Sequence, residues 1–192
     1  LALISESWWS DRQTRSWIVT PDGNAKPELL FDRSTEDRYN DPGSPITEYN
    51  KYGKRTLLIS ESGDIYLSGV GASPEGDRPF LDRLSLSSKA SERLWRSEAP
   101  NYAEFMGFLN SNQQALLIRQ ESPTEPGNYF RVDLGLDQQT ALTAFAHPYP
   151  HMQDVYKEVV RYERDDGVML TATLYLPPSK TKEDGPFPML MW

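Results

Sequence analysis

Two histidines, His147 and His151, supply all the imidazole in the chain. Their spacing on a helix would aim both rings at one metal ion. Pro148 and Pro150 stand between them and exclude that helix, so the histidines read as part of a linker and no metal site is assigned. Acyl transfer by a serine requires the nucleophile on a sharp turn, a base, an orienting carboxylate and an oxyanion hole. No G-x-S-x-G occurs, and the nearest strings, "GSP" at Gly43 and "GASPEG" at Gly71, read as proline-containing loops. The stretch "DRSTEDRYND" crowds carboxylates with asparagine as a calcium loop does. Tyr39 falls where an oxygen ligand should be, so the stretch reads as a loop held by arginine–carboxylate pairs. Trp8-Trp9 has the makings of a stacking platform, against a plainer reading of one ring in the core and one capping a neighbouring sheet. Asp165-Asp166 reads as turn residues rather than a catalytic pair.

The elements that carry these residues show an internal repeat. "LISES" at Leu3–Ser7 returns at Leu58–Ser62, with a looser copy, "LIRQES", at Leu117–Ser122. Set in register, the copies predict units of four short strands, A to D, joined by turn-forming residues. The first unit lacks strand A and has "LALISES", "RSWIVT" and "ELLF". The second runs "ITEYN", "RTLLISES", "FLDRLSL" and "ERLWR"; "GDIYLSG" is either an insert between its strands B and C or strand B itself. The third runs "AEFMGFL", "ALLIRQE", "NYFRVDL" and "ALTAF", with "GLDQQT" as the last turn. Leu30, Leu94 and Leu142 fall at the same place in strand D, 64 and 48 residues apart. Four strands per unit at such periods predict a β-propeller rather than a sandwich. About three blades cannot close a ring, so the chain is expected to be a piece of something larger.

After Phe145 the sequence changes. "AHPYPHMQD" is irregular, "RYERDDGVMLTATLYLPP" alternates on both sides of an Asp-Gly turn, and "MLMW" opens an apolar run of the kind found in buried parallel strands. The expected organisation is mainly β: residues 1–146 as propeller blades, 147–156 as a linker, and 157–192 as the first strands of an α/β-hydrolase domain.

Composition narrows the partners. The chain has 192 residues, 38% hydrophobic and 25% charged, with a net charge of −8, which speaks against nucleic acid as a partner. No run approaches a membrane span and no leader is visible, so a soluble protein is expected, in the periplasm or cytoplasm of a bacterium or the plastid of a plant. Without cysteine there is neither a disulfide framework nor a thiol nucleophile.

The order of propeller, proline linker, Asp-Gly hairpin ending in "LYLPP" and buried strand resembles the prolyl oligopeptidase family of serine peptidases. Within it, "FDRSTEDRYNDPGSP", "GASPEGDRPFLDR", "RQESPTEPGNYF" and "FAHPYP" resemble the glutamyl endopeptidase-like branch. Pro178-Ser179 departs from a Pro-Gly common among relatives. The resemblance implies cleavage of peptides after glutamate without a cofactor. It places nucleophile, acid and histidine beyond Trp192, so no catalytic residue is assigned within the chain. The expected partners are peptide substrates, the rest of the hydrolase domain and the remaining blades. Glutamate recognition would favour arginine, whose planar fork binds a carboxylate through two hydrogen bonds. Arg33, Arg38 and Arg78 on the loops facing the hydrolase, with Arg119 at the end of a strand B, are the candidate substrate-binding residues. The plainer reading pairs Arg33 and Arg38 with Glu36 or Asp37, and Arg78 with Asp77 or Asp82.

Two other classes fit the sequence less well. A non-enzymatic interaction propeller would not need the hairpin and apolar tail. A propeller glycosidase would want inner-strand carboxylates, and strand A offers Glu48 and Glu104.

Residues 1–192 produced alone are expected to hydrolyse no glutamate-containing peptide. Turnover by the purified fragment that a serine-directed inhibitor abolishes would contradict the assignment of the triad to residues beyond it.

Overall fold

Successive strand residues point to opposite faces of a sheet, so a strand buried on one side alternates and a strand buried on both does not. Ile65-Tyr66-Leu67 does not alternate: all three side chains are buried. That tripeptide marks the middle of the molecule. A computed structural model describes residues 1–136 and 138–191.

The first sheet is β1 (Ala2–Trp8), β2 (Gln13–Val19) and β3 (Glu28–Ser34), antiparallel in that order. Cross-strand hydroxyl pairs Ser5–Ser16 and Ser7–Thr14, at 3.1 and 2.9 Å, tie its β1–β2 ladder. The second sheet takes β4 (Ser44–Pro45), passes over a small hairpin of β5 (Thr47–Tyr49) and β6 (Arg55–Leu57), and continues with β7 (Ile65–Gly69), β8 (Phe80–Leu84) and β9 (Ser91–Arg96). Its order is β4-β7-β8-β9. Pro45 is tolerated because β4 is an edge strand. The third sheet is β10 (Tyr102–Phe108), β11 (Ala115–Glu121), β12 (Asn128–Asp133) and β13 (Gln138–Ala141), again a simple meander.

The sheets stack. Ile65, Leu67 and Leu84 on one face of the second sheet pack with Leu3, Leu30 and Phe31 of the first. Tyr66 and Leu81 on its other face pack with Ala103, Leu116, Ile118 and Val132 of the third. Tyr66 meets Phe108 edge-on at 4.9 Å between ring centroids. Asp82 is also buried, facing Arg93 across the β8–β9 ladder, with Arg93 Nη2 3.2 Å from its Oδ2 and the guanidinium over the Phe80 ring at 4.2 Å.

The repeat is corrected at the second unit. "LISES" lies in strand β1 in its first copy, and its looser third copy lies mainly in strand β11, but Leu58–Ser62 belongs to no named strand. Strand B of the second sheet is the Ile65–Gly69 segment, because its three buried apolar residues pair with β8. The preceding residues are drawn into the β5–β6 hairpin, closed at Asn50–Lys54, and into a turn in which Ser60 N–H donates to the Asp64 carbonyl at 2.8 Å. The "ALTAF" strand is likewise displaced to Gln138–Ala141, while the expected turn at Asp137 falls outside the described residues. Past Ala141, Leu142 N–H still donates to the Tyr129 carbonyl at 2.8 Å, but the Thr143 hydroxyl, in place of a main-chain carbonyl, takes the Tyr129 N–H at 2.9 Å. Neither ring of Trp8-Trp9 is in the core. Trp9 is 83% exposed with the Arg12 guanidinium 3.6 Å above it, and Arg15 lies over Trp8.

The chain leaves the third sheet under the control of one side chain. Asn128 Oδ1 accepts from Phe145 N–H at 2.7 Å and from the Thr143 hydroxyl at 2.8 Å. A 3-10 turn at Pro150–Met152 follows, then β14 (Tyr156–Glu163) and β15 (Met169–Leu176). The Asp-Gly spacing predicts this hairpin, and its register pairs Glu163 with Met169, Arg161 with Thr171 and Val159 with Thr173. Met189, Leu190 and Met191, expected to open a buried strand, are exposed and in no regular element; Trp192 lies outside the described residues.

Leu67→Ala, at the heart of the middle sheet, is expected to cost about 2–5 kcal/mol. Leu142→Ala, at a half-exposed position past β13, should cost well under that. Urea unfolding of the two variants gives the comparison, and equal losses would contradict the stacking.

Candidate functional site

The meander decides which loops meet. The β1–β2, β3–β4, β7–β8, β9–β10 and β11–β12 connections emerge at one end of the stacked sheets, and the β2–β3, β8–β9, β10–β11 and β12–β13 turns at the other. Direct bonds knit the first group together. Thr35 N–H donates to the Arg12 carbonyl at 2.7 Å, and Ser97 N–H to the Pro79 carbonyl at 2.8 Å. The long, proline-bearing loops therefore share one face. The β5–β6 hairpin is the exception, an elaborate feature at the other end.

Two glycines make the loop face possible. Gly43 has φ +82, and a Cβ there would sit 2.4 Å from the Ser68 carbonyl oxygen, so only glycine lets the β3–β4 loop enter β4 so close to β7. Gly71 has φ +64, and its Cβ would lie 2.0 Å from the Arg78 carbonyl oxygen. That pair forms the neck of the Gly71–Arg78 loop, with Arg78 N–H donating to the Gly71 carbonyl at 2.9 Å.

Between the second and third sheets, at this end, lies a groove of about 370 Å3 lined by Asp41, Gly43, Gly69, Phe80, Tyr102 and Glu104, among others. Arg33 reaches one of its carboxylates, with Nη2 2.9 Å from Asp41 Oδ2, while its Nη1 donates to the Ser34 carbonyl at 3.1 Å. Arg119 serves the other side, with Nη1 3.9 Å from Glu104 Oε2 and Nη2 2.8 Å from Glu121 Oε2. A Cβ on Gly127 would strike the Arg119 guanidinium, so that side chain lies flat on the β11–β12 loop. The structure thus brings Arg33 and Arg119 to one groove through the acids that line it. Arg38 lies 3.9 Å from Asp77, and Arg78 3.7 Å from Glu75. All four arginines are paired, but with partners other than the neighbours expected: Glu36 takes Arg12 and Asp82 takes Arg93. Burial, and then the negative charges of Glu104 and Asp77, push the Tyr102 phenol above its ordinary pKa.

Arg161 of β14 was not anticipated. Its Nη2 donates to the Pro74 carbonyl at 2.9 Å, bringing the hairpin onto the tip of the Gly71–Arg78 loop. The contact spans 87 residues, and no local pattern announces it. His147 Nδ1 accepts from Tyr149 N–H at 3.0 Å, and no serine–histidine hydrogen bond occurs among the described residues. Among the described residues this face presents paired charges and no assembled nucleophile and base.

No protein-family model matches the chain. Over its full length it is 41% identical to a probable chloroplastic glutamyl endopeptidase of Oryza sativa subsp. japonica and 40% identical to one of Arabidopsis thaliana. It spans 22% of the length of each of these relatives. Among solved structures it is similar to an AtxE2 isopeptidase variant with Astexin3-dC4 bound, over 88% of this chain and 22% of that one, at 14% identity and TM-score 0.46. A puromycin hydrolase mutant complexed with PGG is similar over 86% of this chain and 30% of that one, at 15% identity and TM-score 0.38. Those scores are too low to carry an argument, and the assignment stands on the sequence relatives. By that similarity the chain corresponds to a segment of proteins described as peptidases. Along its whole length the chain is similar to these probable glutamyl endopeptidases, the branch its motifs resemble.

A pH effect follows from the β3–β4 loop. The Asn40 side chain, then the Asn40 main chain, donate to the Asp37 carboxylate and hold it below the usual aspartate range. A carboxyl with a depressed folded value stabilises above its unfolded value, about 3.9, and loses that contribution as pH falls through the folded value. Amide exchange at Asn40 is expected to quicken selectively at such pH, and Asp37→Asn to remove the selective step. An Asn40 amide that tracks the β7 amides through the same titration would contradict this.

Proposed function

We propose that the chain is the propeller-and-junction portion of a serine peptidase that hydrolyses peptide bonds after glutamate. In this reading residues 1–146 are blades, 147–156 a linker, and 157–192 the opening strands of an α/β-hydrolase domain that carries the triad further along. The observation that carries the reading is the 40–41% identity to glutamyl endopeptidases over the entire chain. Stacked meanders, one of three strands and two of four, and the Arg161–Pro74 bond, which sets the hairpin against the elaborate loop face, support it. The blades would act as a filter over the catalytic cleft, and the loop-face groove would lie on the substrate's path.

Among the four candidate arginines, Arg33 and Arg119 are best placed, since both reach acids lining the groove. Exposed ion pairs are worth roughly 0.2–1 kcal/mol, so a substrate carboxylate can displace the resident acid at small cost. A non-enzymatic interaction module remains the other class, and turnover separates the two.

The test replaces Arg33, Arg38, Arg78 and Arg119 singly by alanine in the full-length protein and compares cleavage after glutamate with cleavage after glutamine. Loss of a charge-assisted contact, about 1.5–3 kcal/mol, lowers that ratio by about ten- to a hundredfold. If none of the four changes the ratio while the protein stays folded, the loop face does not read the glutamate side chain.

A further inference from the structure

The four arginines expected to read a carboxylate all have one already. Arg55 does not: among the described residues no carboxylate lies within ion-pair distance of it. Its guanidinium is nonetheless fixed. Nε and Nη2 both donate to the Thr47 hydroxyl, at 3.1 and 2.7 Å, across the β5–β6 hairpin. That leaves the Nη1 side of the fork open, in the geometry that a carboxylate accepts through two parallel bonds.

Arg55 also lines a groove of about 480 Å3. Phe105, Met106 and Phe108 of β10 form its apolar wall, and Thr47 and Glu48 of the hairpin its polar rim, with other residues completing it. The groove lies along the same seam between the second and third sheets as the loop-face groove, since Ser68 and Phe105 line both. The hairpin beyond it carries Lys51 and Lys54, and Tyr49 and Tyr52 stand 73% and 74% exposed. Against a chain of net charge −8, this tip is a local excess of positive charge, with Glu48 as its one acid.

We infer that the Arg55 groove is a binding site for a carboxylate side chain of an extended peptide, separate from the loop-face groove. The carboxylate meets the fork held by Thr47, neighbouring apolar atoms of the peptide lie on Phe105, Met106 and Phe108, and Lys54 adds attraction. A nucleic acid fits poorly, because the net charge and Glu48 both oppose a polyanion. The inference rests on the peptidase reading for its choice of peptide as ligand, and it adds a point of capture at the end of the seam away from the elaborate loops.

The probe is a short glutamate-containing peptide with reduced, uncleavable backbone bonds, together with its glutamine twin, titrated by fluorescence anisotropy against the full-length protein. Arg55→Ala is expected to weaken the glutamate peptide by about ten- to a hundredfold and leave the glutamine peptide unchanged. Arg55→Lys, which keeps the charge but not the fork, should restore only part of the loss. Thr47→Val, which keeps the hairpin and frees the guanidinium, should give a smaller selective loss. The inference is overturned if Arg55→Ala weakens both peptides equally, or if neither Arg55→Ala nor Thr47→Val alters the preference for glutamate. Hydrolysis of a small glutamyl chromogenic substrate by the unmodified protein is measured separately. Its absence would sink the peptidase reading, while the binding titration still decides the role of Arg55.

Discussion

One sheet has to be buried on both faces, and the rest of the structure follows from that. Ile65, Tyr66 and Leu67 point alternately to opposite sides of β7, and each is buried. Water can be excluded from both sides only if a sheet lies against each. The first sheet covers Ile65 and Leu67 through Leu3, Leu30 and Phe31, and the third covers Tyr66 through Ala103, Leu116 and Ile118. Full burial of a side chain of this size is worth about 1.5–3 kcal/mol, so the stack has a strong reason to form in this order. With three meanders stacked and their strands antiparallel, the loops have no freedom to choose a side. The long β3–β4, β7–β8 and β11–β12 connections must share a face.

Stacking creates seams, and the grooves lie along them. Two grooves run between the second and third sheets, one at the loop face beside Arg33 and Arg119, one beside Arg55. The first is charge-balanced, because its acids hold its arginines. The second has a fixed guanidinium held by a neutral hydroxyl. A face of paired charges discriminates by exchange of partners, whereas an unpaired, preorganised cation attracts directly. The hairpin β14–β15 meets the tip of the Gly71–Arg78 loop through the Arg161–Pro74 bond.

What the sequence made legible were features decided within a few residues. The Asp-Gly turn fixes the register of β14 and β15 because Gly167 takes φ +85 and Gly167 N–H closes on the Arg164 carbonyl. The strand repeat is also local, as a matter of alternation and turn residues. The second "LISES" misled because five letters do not decide a strand; the competing Ile65-Tyr66-Leu67 buries on two faces and takes the place beside β8. Arginine partners were misjudged for a similar reason. Arg33 takes the Asp41 carboxylate rather than those of Glu36 or Asp37, its Nη1 reaching Asp37 only at the main-chain carbonyl, 3.4 Å away, and Arg38 finds Asp77 on a different connection. The Arg55 site was invisible until the hairpin brought Thr47 opposite its guanidinium and β10 supplied the aromatic wall.

Hydrogen exchange of the folded full-length protein tests the central claim most directly. If the second sheet is covered on both faces, the amides of Tyr66 and Leu67 in β7 and of Leu81 in β8 should exchange only through global opening and be among the slowest in residues 1–146. The exposed β13 amides should exchange by local fraying, far faster. Exchange of Tyr66 and Leu67 at the rate of β13 would mean that one face of the middle sheet is open to water, and the stack described here would be wrong.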